Sequence, residues 1–296
     1  MELSDLVTFS TVARLGGVTR AADELNTVQS NVTQRVKALE AEIGTPLFER
    51  HSRGMTLTGA GRRLLPYAQR LAALTHEAVL AARDDGEPKG PLSIGSMETT
   101  AAVRLPSLIA EFHQCFPAVQ LSLRTAPTAD LVAAVLDGSL DGAFVAGPIE
   151  HAELTGVTAF QEELVLVTAR RWASLAALRA GTPESGPTAL VFRTGCTYRQ
   201  RLEQLLTEFG WPSAARFELG TLDGMIGCVA AGMGVTLLPR AVVERNDQSG
   251  NIRIHPLSPS QSRVTTLFIQ RRTAHRYSAL QGFVACLGKN NHVIAA

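Results

Sequence analysis

The chain has 296 residues, 45% hydrophobic and 19% charged, with a formal net charge of +1. That balance suits a globular protein of two or three domains and excludes disordered and fibrous classes, and no apolar run nears the roughly 20 residues of a membrane span. Four scattered cysteines without a CxxC pair exclude a disulfide framework or zinc ribbon, and with no export signal at the start the expectation is a cytoplasmic protein holding no metal or other cofactor.

Leu3, Leu6, Phe9 and Val12 recur three apart and predict an amphipathic helix that Gly16 and Gly17 end. A short helix over "TRAADEL" follows, with Thr19 as its expected N-cap, and residues 26–28 turn into a third helix. In that third helix Val32, Val36, Leu39 and Ile43 form one buried stripe. Ser30, Gln34 and Lys37 point away from it, with Asn31 and Thr33 on the flanks. Two helices joined by a tight turn, the second with a short polar outer face, describe a helix-turn-helix. Gln29, Ser30, Asn31, Thr33 and Gln34 are then the base readers, since Gln and Asn bond adenine bidentately and Ser or Thr bonds either partner of a pair. A three-helix bundle with a merely wet outer face is the alternative at this point.

"GTPLFERHSRGMTLTGAG" reads as a small two-stranded wing with Arg53 and Gly54 at its tip and Thr58 as the cap of the next helix. Arg53 would meet phosphate or a minor groove. Five arginines and no acid lie between Arg50 and Arg70, a run that reads either as a solvated face or as a phosphate-contacting patch.

From "LVTFSTVARLGG" to "LTGAG" the chain resembles the LysR-type transcriptional regulators almost throughout. The likeness is carried by A-A-x-x-L in the second helix, Q-S-x-V-T-x-x-V-x-x-L-E in the third, G-x-P-L-F-x-R after it and the L-T-x-x-G exit. Val28 stands where the family often has serine, so Thr27 is expected to cap the third helix; Gln34 stands where a basic residue is common. The resemblance implies a regulator rather than an enzyme, bound to double-stranded promoter DNA as a homodimer or homotetramer. It also implies control by a small-molecule effector, contact with RNA polymerase if the protein activates, and no membrane.

Leu57, Leu64, Leu71 and Ala78 recur every seven residues, as do Ala60, Tyr67, Leu74 and Ala81. Two such rows predict one long helix that packs on a partner helix, and "RDDGEPKGPL" ends it with a hinge composition. Beyond Pro91, short apolar strands alternate with helices, an α/β signature. "LSIGS", "AVQLSLRTA" and "LDGAFVAG" are strands of a first group, with one helix over residues 99–116 and another over "ADLVAAVLDG". "EELVLVTA", "TALVFRTG" and "ARFELGT" belong to a second group, which "TTLFIQR" and a last helix close. The fold class expected is therefore multidomain, α+β and α/β. A winged helix-turn-helix fills 1–58, a dimerising linker helix 59–86 and a two-lobed α/β domain 91–296, which the family resemblance implies is an effector domain like a periplasmic binding protein. Lobe I is placed at about 91–161 and 268–290, and lobe II at about 162–267.

Ligands of open α/β sheets sit beyond the carboxyl ends of strands. Ser96, Thr99 and Thr100 leave one such strand, Cys196, Thr197 and Tyr198 another, and Thr128 opens a helix. Together they form a candidate site for a small anionic effector, although plain helix capping explains the hydroxyls as well. Cys196 beside Arg193 and Arg199 raises a second reading, a thiol that senses oxidants. A solute-binding protein is a third, opposed by the helix-turn-helix. No G-x-S-x-G, P-loop or HExxH occurs, and no catalytic set converges.

Overall fold

A computed structural model describes residues 1–51, 54–246, 250–273 and 277–291. The chain divides into two compact units, Met1–Asp85 with Leu136–Ser139, and Gly86–Val135 with Leu140–Ala296.

In the first unit α1 (Leu3–Leu15) buries Leu6, Phe9 and Val12 and stops at Gly16, whose φ of 68° is left-handed and costs glycine little. α2 (Val18–Glu24) begins one residue ahead of Thr19, and extended Gly17 is its N-cap, so Thr19 lies inside the helix instead of capping it. α3 (Gln29–Ile43) buries Val32, Val36 and Leu39, but Ile43 is 38% exposed, because the last turn runs past the core. Its N-cap is Val28, which offers no side-chain oxygen. Thr27 does not serve in its place: its hydroxyl oxygen accepts from Asn31 Nδ2 at 2.9 Å.

The wing is β1 (Phe48–His51) antiparallel to β2 (Gly54–Leu57), with Phe48 opposite Leu57. Glu40 ties it to α3, accepting from the N–H groups of Leu47 at 2.8 Å and Phe48 at 3.2 Å. Arg53 lies outside the described residues. α4 (Gly59–Arg83) is capped by Thr58, whose oxygen accepts from Gly61 N at 3.0 Å. Gly61 sits where a Cβ would come within 2.2 Å of the Leu47 carbonyl, so only glycine lets α4 cross the wing that closely.

The two heptad rows split along α4. Leu57, Ala60 and Leu64 pack against the core of the head. Tyr67, Leu71 and Leu74 are exposed, Tyr67 by 66%. The first turns are thus committed within the unit, and only the later ones present an unpartnered apolar face.

The second unit opens with β3 (Gly90–Ser96) and α5 (Glu98–Val103). α6 (Leu105–Cys115) follows at once, so the single helix expected over 99–116 is two. Pro106 has no N–H for the Ala102 carbonyl, which accepts from Arg245 Nη1 at 2.8 Å instead. β4 (Val119–Thr125), α7 (Thr128–Leu136) and β5 (Gly142–Ala146) complete a parallel group, β4 and β5 flanking β3. β6 (Leu154–Ala169) starts eight residues earlier than the strand expected at 162–169. Next come α8 (Leu175–Gly181), β7 (Ala189–Val191), α9 (Thr197–Glu208), β8 (Arg216–Glu218), α10 (Leu222–Ala230), β9 (Thr236–Pro239) and α11 (Arg240–Asn246). β10 (Ile252–His255), α12 (Pro259–Ser262), β11 (Arg263–Arg271) and α13 (Ser278–Asn291) end the chain.

The first half of β6 pairs with β11, which pairs in turn with β5, so lobe I runs β4-β3-β5-β11-β6. The second half, from Leu164 to Ala169, lies between β9 and β10 in lobe II, where β7 and β8 are parallel. The return to lobe I, expected at 267/268, comes earlier: β11 pairs with β6 from Arg263 onward. At the passage through β6, Glu162 is buried and takes both Nε and Nη2 of Arg104 at 2.9 Å each.

His255 is buried in lobe II with its Nε2 2.9 Å from the Thr168 hydroxyl. Burial, with the charge of Arg253 adding to it, holds its pKa below the usual histidine value. The unfolded chain therefore binds a proton that the folded chain resists, and stability present above the ordinary pKa of about 6.5 is lost as pH falls through it. Thermal unfolding followed from pH of about 7.5 to about 5.5 should show a falling Tm. His255→Gln should flatten that slope.

Candidate functional site

α3 presents Gln29, Ser30, Gln34 and Lys37 to solvent, with Asn31 and Thr33 half-buried at the sides. Asn31 is partly committed, since its Nδ2 donates to Thr27. Arg35 is turned aside to Asp5 at 3.3 Å, so it is not part of the outer face. What remains is a short-armed polar surface with one cation, all within reach of a flat hydrogen-bonding partner.

A second site is a cleft of about 640 Å³, counted to its open mouth, between the two lobes. Lobe I contributes Met97, Glu98 and Thr99 after β3, and residues 125–128 around the β4–α7 junction. Lobe II contributes Phe192, Arg193, Cys196 and Tyr198 after β7, and Leu219 and Gly220 after β8. Every lining segment lies at the carboxyl end of a parallel strand, the place where α/β sheets open to ligands. Two hydrogen bonds cross the cleft, one to a side chain and one between backbones: Leu222 N donates to Glu98 Oε1 at 2.9 Å, and Ala129 N to the Gly195 carbonyl at 3.3 Å.

The structure brings together Thr99, Thr128, Cys196 and Tyr198. It does not bring Ser96, Thr100 or Thr197 to the cleft wall. Ser96 is fully buried and donates to the Met97 carbonyl at 2.9 Å, and Thr100 is buried on the inner side of α5. Neighbours on a helix differ by about 100°, so Thr99 and Thr100 cannot both face one cavity squarely. Glu98 was missed by sequence reasoning as a cleft residue, and Arg193 was weighed only as a neighbour of Cys196. A charge within a residue or two of a strand end was the available signal for both.

Two hydroxyls in this cleft are unusual. Thr128 Oγ1 and the Tyr198 phenol are buried, 7% and 2% exposed by residue, and make no hydrogen bond of good geometry. Burial, then the charge of Glu162, drives the Tyr198 pKa far up, and the nearby Thr99 hydroxyl offsets little of it. Each unmade bond costs about 1–3 kcal/mol, a cost that a bound polar group would remove.

Cys196 behaves otherwise than its neighbourhood suggested. Burial pushes its thiol pKa up, and the amides of Arg199 and Tyr198 counter only part of that. Arg199 is itself occupied, by Glu203 at 3.2 Å, Glu218 at 2.9 Å and the Phe192 carbonyl at 3.2 Å. A half-buried thiol that stays neutral is a poor nucleophile toward oxidants.

Two protein families match the chain: "LysR substrate binding domain" over residues 85–291, and "Bacterial regulatory helix-turn-helix protein, lysR family" over residues 3–62. The chain is 46% identical over 284 residues to the HTH-type transcriptional regulator YusT of Bacillus subtilis, covering 96% of this chain and 94% of that one. It is 42% identical over 284 residues to the HTH-type transcriptional regulator GltR of the same organism, covering 96% and 95%. Among solved structures, full-length CbnR complexed with its target DNA is similar at a TM-score of 0.66 and 26% identity, covering 98% of this chain and 99% of CbnR.

Removing an unsatisfied hydroxyl should not harm the free protein. Tyr198→Phe and Thr128→Val are expected to leave the folding free energy unchanged or to raise it by up to about 2 kcal/mol. Chemical denaturation of the ligand-free protein measures this, and a clear loss would mean the hydroxyls have partners inside the protein.

Proposed function

Because the chain belongs to the LysR family of transcriptional regulators, we propose that it reads promoter DNA through the outer face of α3 and senses an anionic small molecule in the interlobe cleft. The base readers are Gln29, Ser30, Asn31, Thr33 and Gln34, with Arg53 on the wing contacting phosphate or a minor groove. Thr99, Thr128 and Tyr198 bind the effector, Arg193 supplies the positive charge, and Cys196 forms part of the wall. The observation that carries the ligand reading is the pair of buried, unpartnered hydroxyls on opposite lobes of one cleft.

The division of labour is a DNA-binding head at 1–58, a dimerising linker helix at 59–86 and an effector domain at 91–296. A ligand that binds the closed arrangement of the lobes better than the open one shifts the population toward closure, and only that difference in affinity can act on the DNA. The apolar face of α4 pairs with a second copy, and two such dimers make the homotetramer that spans a pseudo-palindromic site. The protein acts on promoters in the cytoplasm, meets RNA polymerase where it activates, and binds its effector without transforming it. Nothing favours the thiol-sensing alternative, since the surroundings of Cys196 stabilise the neutral thiol.

Gln29→Ala should relax base preference at one position of each half-site, costing about 1–3 kcal/mol there. Arg53→Ala removes a phosphate interaction, so it should weaken all sequences alike and flatten the salt dependence. Footprinting titrations across salt concentrations separate the two. Wild-type, salt-insensitive behaviour in both would remove the docking.

For assembly, Tyr67→Glu combined with Leu71→Glu places charges on the exposed part of α4 while sparing the half packed on the head. Operator binding should be lost with an unchanged circular-dichroism spectrum, and sedimentation should show smaller assemblies. Wild-type affinity in the double variant would mean that α4 does not carry the interface.

A further inference from the structure

Two opposite charges line the cleft and do not meet. Glu98 opens α5 in lobe I, and Arg193 follows β7 in lobe II. Among the described residues no ion pair joins them and neither has another charged partner. The one bond that Glu98 accepts comes from the Leu222 N–H, which anchors one carboxylate oxygen and occupies no positive side chain. Around these charges stand apolar Met97, Phe192 and Leu219, and the unpartnered hydroxyls of Thr128 and Tyr198.

A purely anionic ligand serves only half of this arrangement. Its negative group meets Arg193, but filling the cleft also takes water from Glu98 and sets a second negative charge beside it. A ligand that carries an ammonium as well as a carboxylate removes that penalty and gains a charge-assisted hydrogen bond at each end. The same ligand touches one charge from each lobe, so binding it favours the closed arrangement. Resting on the reading that this cleft is the effector site, we infer that the effector is a zwitterion of the α-amino-acid type, its carboxylate on Arg193 and its ammonium on Glu98.

The test uses the full-length protein and the standard amino acids, each compared with the acid that lacks its α-amino group: alanine with propionate, glutamate with glutarate, phenylalanine with 3-phenylpropionate. Thermal shift screens the set, and calorimetry measures the hits. At least one amino acid should bind, with its deaminated partner weaker by about tenfold or more, the size of a lost hydrogen bond to a charged group. Glu98→Gln keeps an acceptor for Leu222 N and should erase that preference by weakening the amino acid alone. Arg193→Gln, at an exposed position, should weaken both partners, and its melting temperature guards against misfolding as the cause. Equal or tighter binding of the deaminated acid, an unchanged amino-acid affinity in Glu98→Gln, or no binding by any amino acid would each overturn the inference. The cleft reading fails separately, when a bound ligand is indifferent to Thr128→Val, Tyr198→Phe and Arg193→Gln together.

Discussion

One strand holds the effector domain together. The sixteen residues of β6 serve two sheets, pairing with β11 through residue 163 and with β9 and β10 from residue 164 onward. A strand in a sheet is stiff along its length, so the lobes have a short, defined pivot there. The bidentate pair of Glu162 and Arg104 lies at that pivot, and Arg104 also marks the break between α5 and α6. Tyr198 on the cleft wall stays a neutral phenol, chiefly through burial and next through the nearby charge of Glu162. The pairing register of β11 with β6 shifts between Thr266 and Leu267, near the same region.

The cleft combines features that a protein would not keep for its own stability. The buried hydroxyls of Thr128 and Tyr198 raise the free energy of the empty protein, whereas Arg193 and Glu98 keep contact with water and cost little until a ligand covers them. Elsewhere in the domain Ser96, Thr168, Thr236 and His255 are buried and hydrogen-bonded, while Thr266 Oγ1 and Gln270 Oε1 on β11 are two further buried oxygens without a partner. The two in the cleft differ from those on β11 in standing at strand ends from both lobes, where α/β sheets open to ligands.

The head shows the opposite pattern. Glu40 satisfies two wing amides, Thr58 both caps α4 and donates to the Pro46 carbonyl at 2.8 Å, and Met55 N reaches the Gly16 carbonyl at 3.0 Å. These bonds fix the wing against the helices, so the exposed polar face of α3 is held by a rigid support. α4 then changes role along its length, from core element near Leu64 to bare apolar face near Leu71.

Much of this was legible in the residues themselves. Apolar periodicity located α1, α3 and α4, because a stripe at helical spacing has one way to be buried, and the head's motifs marked the wing and the cap at Thr58. The strand-end logic found the cleft and four of its residues. What the chain alone could not decide were matters of partnership. Whether Thr27 caps or holds Asn31, whether Leu64 faces its own head or open water, and whether Thr99 or Thr100 meets the cleft depend on what stands a few ångströms away. Glu98 and Arg193 become a pair only when two lobes, separated by ninety-odd positions of sequence, close around one space. Cys196 sits at a helix start among arginines in the sequence, but burial outweighs that charge in the fold. Local pattern determines which segments form and which face is apolar; desolvation and partner choice arise from distant residues, and those only the tertiary structure decides.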